Sequence, residues 1–131
     1  MKFLREYWPT LMVVAVILYA TLSEDPAGAD EFPPVPHLDK IIHAVMFGGL
    51  VGAWAFDRYR SGHELTRRYM LGVAAACLVA GALDEIAQHF FTVGRAADPF
   101  DLIADATGIA VAFFAAPPAV RAVVNDARRR K

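Results

Sequence analysis

Four apolar blocks, each of bilayer-spanning length or close to it, dominate the 131-residue sequence. They cover about 7–22, 39–59, 70–91 and 99–120. A bilayer core of about 30 Å needs about 20 helical residues at a rise of about 1.5 Å each. The first block centres on LMVVAVILYATL. Counted back to Tyr7 it reaches roughly 24 Å, slightly short of that span. In hydrocarbon every backbone N–H and C=O must be paired within the structure, which a helix does by itself. The expectation is an all-α polytopic membrane protein, one domain over 1–131, built as a bundle of four transmembrane helices.

The net charge of −1 hides a strong segregation. Of 13 Lys and Arg residues, only Lys40 and Arg95 lie in the first and third connections. The other eleven occupy the N-terminus, the second connection and the tail. Lys and Arg collect on the cytoplasmic side of membrane proteins, so both termini are expected inside and the first and third connections outside. A multi-pass membrane protein with both termini in the cytoplasm is the expectation. The tail Arg128-Arg129-Arg130-Lys131 suits anionic membrane lipid, and no nucleic-acid partner is expected. A cleaved signal peptide competes at the N-terminus, with Ala27-Gly28-Ala29 as the small-residue site. Pro26 and the acidic residues before that site argue against it.

Smaller features fill in the bundle. Gly48 and Gly52 have the small-xxx-small spacing that lets helices approach closely, and Gly72, Ala76 and Ala80 offer a small face on the third helix. Pro117-Pro118 is expected to close the fourth helix. Asp98-Pro99 reads as its start, with Asp98 as cap and Pro99 in the first position. Cys77 is the single cysteine; it excludes a disulfide framework and reads as a small packing residue. The only serines are Ser23 and Ser61, neither in a nucleophile context, so serine-based catalysis is disfavoured.

The chemistry gathers between Ala80 and Thr107, where Asp84, Glu85, Gln88, His89, Arg95, Asp98, Asp101 and Asp105 sit between two apolar runs. Ionisable groups so near a bilayer core are costly and usually face a protein interior. Asp39 and His43, Glu85 and His89, and Asp101 and Asp105 are i,i+4 pairs, each on one helix face. With the expected topology all three pairs reach the same outer depth. Glu85, His43, Asp101 and Asp105 are the candidate acid–base residues. Lys40, Arg95, Gln88, Asp39 and His89 are the candidates for holding a polar ligand. Plainer roles stand beside these. Asp39, Asp98 and Asp101 suit helix caps or first turns, and Lys40 suits an interfacial anchor. Arg95 suits pairing with Asp98 or Asp101. Gln88 and His89 suit solvation. Glu85, His43 and Asp105 suit a network locking helices together. Asp84 points about 100° from Glu85, which suits either contact with another helix or a place as the lesser or the principal acid of the two.

In order and spacing, Asp39-Lys40-x-x-His43 with Phe47, then Glu85-x-x-Gln88, Gly94-Arg95 and Asp101-x-x-x-Asp105-x-x-Gly108 resemble the VanZ-like family of small bacterial membrane proteins. The resemblance covers about Asp39 to Ala112. The family usually carries Asn where this chain has Asp105, so an acid stands here in place of an amide. The resemblance implies an integral membrane protein of the cell envelope, and the family's namesake is linked to low-level resistance to the glycopeptide teicoplanin.

Three function classes remain open on the sequence. The first is an outward-facing site that binds or modifies the head group of an envelope lipid or a lipid-linked cell-wall precursor. The second is a structural or interaction membrane protein without catalysis. The third is a small proton-coupled transporter, which with four spans would need a homo-oligomer. No cofactor is expected. Even so, the donors of His43, Glu85, His89, Asp101 and Asp105 suit a divalent metal such as zinc or manganese, without a compact H-E-x-x-H signature.

Overall fold

A computed structural model describes residues 2–23, 36–92 and 98–130. Its described part is all helical: α1 (Lys2–Glu6), α2 (Trp8–Leu22), α3 (Leu38–Arg60), α4 (Arg67–Phe91) and α5 (Pro99–Arg129). Local chemistry sets several of the starts. The Thr66 hydroxyl accepts the Tyr69 N–H at 3.2 Å and begins α4 at Arg67, three residues earlier than its apolar run. The Asp98 carboxylate accepts the Phe100 N–H at 2.9 Å, with Pro99 behind it, as the sequence predicts. Asp39 is not a cap. Helix α3 starts at Leu38, after His37 in the left-handed region (φ 61°), and Asp39 falls in the first turn.

Helices α3, α4 and α5 are each long and apolar enough to cross a membrane. Helix α2 is apolar on all sides but has only 15 residues, about 22 Å. Three of the four expected spans therefore meet the length unaided. Burial is inverted relative to a water-soluble domain. Asp57 and Asp105 are 0% exposed, whereas Val45, Val111 and Phe114 are 68%, 63% and 74% exposed. Apolar outside and acid inside is the surface of a multi-pass membrane protein.

The tightest pairing is α3 against α5, and it is parallel. His43 meets Asp105, Gly48 meets Gly108, and Tyr59 meets Asn125, so contacts climb both helices together. Glycine permits the approach. A Cβ on Gly108 would collide with the Ala44 backbone, and one on Gly48 would lie 3.0 Å from the Gly108 carbonyl oxygen. Gly52 faces open space, so only Gly48 of that pair is used. The small face expected on the third helix is also turned outward: Gly72 has nothing near it, and Ala76 and Ala80 are exposed. Helix α4 runs antiparallel to α5, joined by Glu85–Asp98 at one end and Arg121–Leu65 at the other. Helix α2 runs antiparallel to α3, its start tied to the end of α3 by Thr10 on Asp57 and its end to α4 by Thr21 on Asp84. The core between them holds Phe47, Val51, Ala55, Met70, Val73, Ile109 and, as expected, buried Cys77.

The proline pair does not close α5, which continues through Pro117 and Pro118 to Arg129. Proline lacks the N–H that Phe113 and Phe114 carbonyls would accept, and such a residue usually ends or kinks a helix. Tertiary contacts carry the extension. Val120 and Val124 are buried, Arg121 donates to the Leu65 carbonyl at 3.2 Å, and Arg128 donates to the Tyr59 carbonyl at 3.3 Å while lying over the Tyr59 ring.

Candidate functional site

The ends of α3, α4 and α5 that meet near Lys40 and Asp98 bring most of the predicted residues together. One turn into α3, His43 is buried with its Nδ1 3.0 Å from Asp105 Oδ1 of α5. An ionised carboxylate only accepts, so with Asp105 charged the ring proton sits on Nδ1 and Nε2 is left to face Asp101 Oδ2 at 3.9 Å. Glu85 comes in from α4, its Oε1 4.0 Å from His43 Nδ1. Its Oε2 accepts the backbone N–H of Asp98 at 3.0 Å, which ties the end of α4 to the start of α5.

Above this buried layer Lys40 gathers the acids at the rim. Its ammonium donates to Asp98 at 2.8 Å, Asp101 at 2.9 Å and Asp39 at 3.0 Å. The structure thus commits Lys40 to carboxylates. Its charge, with the Phe100 N–H, holds the Asp98 carboxyl below the usual range. Asp101 bridges the two layers, with Oδ1 on Lys40 and Oδ2 toward the imidazole.

Two acceptors are left over. Glu85 Oε1 and Asp105 Oδ2 are buried and have no hydrogen-bond partner among the described residues. Leaving a buried polar atom unpaired costs about 1–3 kcal/mol, and more when it is charged. The space at Asp105 is reserved by Gly81, where a Cβ would sit 2.8 Å from Asp105 Oδ2.

Other predicted residues lie apart. Gln88 is buried but donates to Asp84 at 3.2 Å instead of lining the centre. His89 is exposed and meets Phe90 edge-on at 5.1 Å between ring centroids. Arg95, with Gly94, falls outside the described residues. Asp84 does face another helix, accepting the Thr21 hydroxyl of α2 at 2.8 Å. Sequence reasoning passed over Asp57, whose carboxylate takes both the N–H and the hydroxyl of Thr10, at 3.0 and 2.7 Å. Its place directly after the apolar Ala53-Trp54-Ala55-Phe56 was the available signal. Gly81 was also missed, although it lies one turn before Glu85 on the same face.

A family model described as VanZ/LLP1 matches residues 2–121. The chain belongs to the VanZ/LLP1 family. The match extends beyond the motifs at 39–112 and takes in α1 and α2. It matches no curated protein and no solved structure. In this VanZ/LLP1 member, then, the motif residues His43, Glu85, Asp101 and Asp105 converge on one buried centre, with Lys40 and Asp98 at its rim. Such a centre can hold a proton or a cation between an imidazole and carboxylates, and can pass a proton to a group arriving from the rim.

Proposed function

We propose that this protein spans the bacterial cytoplasmic membrane four times, N-in and C-in, and uses the recess at the outer ends of α3, α4 and α5 to bind the head group of an envelope lipid or lipid-linked cell-wall precursor. The observation that carries the reading is the buried His43–Asp105–Glu85 set, linked through Asp101 to a polar rim at the end of otherwise apolar helices. The distribution of Lys and Arg directs that end outward. A site so rich in acids favours hydroxyl or ammonium groups of a ligand. A phosphate would call on Arg95, since Lys40 is already paired. With Asp105 orienting its ring, His43 is the group placed to exchange a proton with a bound hydroxyl, and Glu85 supports the charge that develops.

The test compares wild type with Glu85→Gln and Arg95→Ala. Lipids that copurify in nanodiscs would be measured by mass spectrometry, and the envelope phenotype, teicoplanin susceptibility included, in a deletion strain. Both variants should fold, lose one head-group-bearing lipid species and fail to complement. Full complementation by both, or an unchanged lipid complement, would sink the proposal. Loss of function in step with loss of thermal stability in Arg95→Ala would instead mark the cluster as a lock between helices.

A further inference from the structure

The centre of the site has a charge problem that its protein partners leave open. Glu85 is 7% and Asp105 0% exposed, and both face the same nitrogen, Nδ1, of a single imidazole. Two buried carboxylates beside a single histidine leave at least one negative charge uncompensated if both are ionised, and burying such a charge is very costly. Each carboxylate also carries a buried oxygen without a hydrogen-bond donor, Glu85 Oε1 and Asp105 Oδ2. The rim acids do not share this difficulty. Asp39, Asp98 and Asp101 also cluster, but the Lys40 ammonium already occupies their midst.

We infer that His43, Glu85 and Asp105 form a binding site for a divalent transition-metal cation, zinc or manganese. One donor atom from each, on three different helices, lies within 4.8 Å of the others. A zinc ion holds nitrogen and oxygen ligands at about 2.0–2.2 Å, so side-chain rotations of about an ångström close the set around it. The charge sum favours it, since two carboxylates and a divalent cation balance to zero. The imidazole disfavours magnesium and calcium, which prefer oxygen ligands alone. Three protein ligands leave a coordination position free for a group from outside the protein. If the head-group reading is correct, a hydroxyl or phosphate oxygen of the ligand takes that position; ion binding itself does not depend on that reading.

Full-length protein purified in detergent without chelator would be analysed for metal, stripped, and titrated with zinc or manganese while its unfolding temperature is followed. The expected result is one ion per chain, a fall in unfolding temperature on stripping, and recovery on adding back the ion. Asp105→Asn keeps the oxygen that faces His43, and Glu85→Gln keeps an acceptor for the Asp98 N–H. Both variants are thus suited to fold, and each should bind the ion at least about 10-fold more weakly. Absence of bound metal with no thermal response to either ion would overturn the site, as would undiminished binding in both variants. The two readings fail separately. No ion, with the copurified lipid still lost from Glu85→Gln, removes only the metal. A bound ion with an unchanged lipid complement removes only the head group.

Discussion

At Gly108 the missing side chain is a packing requirement, because the Ala44 backbone of α3 occupies the place where a Cβ would be. Gly108→Ala should therefore force α3 and α5 apart and destabilise the protein by about 1–3 kcal/mol or more. Gly52→Ala, which enters open space on the same α3, should be neutral or stabilising by up to about 1 kcal/mol. Thermal unfolding in one detergent would compare them, and equal stability of the two variants would refute the close approach. The spacing of these glycines was visible in the sequence, but their roles were not. Gly48 and Gly52 look equivalent as text and share one face of α3, and only the level along that helix at which α5 comes closest decides which one meets a neighbour.

Among the elements, α2 is the one least able to find its place by its own pattern. It is apolar on every side and so has no face to direct inward. Two polar ties orient it. Tyr7 provides no side-chain cap, and the free N–H of Thr10 in the first turn is satisfied by Asp57 from α3. At the other end the Thr21 hydroxyl donates to Asp84. Removing Asp57 by Asp57→Ala leaves the Thr10 N–H and hydroxyl buried without their carboxylate, at a cost of about 1–3 kcal/mol. Hydrogen exchange should then quicken mainly in residues 2–23, with α3 and α5 near the site protected as before. An unchanged exchange rate in α2 would show that Asp57 does not hold it. The extension of α5 obeys the same logic in reverse. Its proline pair predicts an end, and contacts with α3 and with the Leu65 carbonyl outweigh that local preference.

For the whole molecule the orientation in the bilayer is the prediction of widest consequence. Cys77 is 0% exposed, so the native chain gives a silent background for thiol labelling. With a membrane-impermeant reagent, Ser23→Cys at the end of α2 should react in intact cells. Ser61→Cys, after α3, should react only once the membrane is permeabilised. The reverse pattern would place the acidic recess in the cytoplasm and end the envelope reading.

What the amino-acid order determined alone was the helical class, the apolar spans, and the set of ionisable residues forced to turn inward. These follow from solvent transfer and backbone pairing, which act segment by segment. Tertiary structure alone decided that Lys40 is held by three aspartates, that Gln88 serves Asp84, that His89 stays outside, and that Glu85 and Asp105 each retain an unpaired oxygen. Those outcomes depend on the depth and rotation of one helix against another. Residues some 40–60 positions apart settle both, and no local pattern records them.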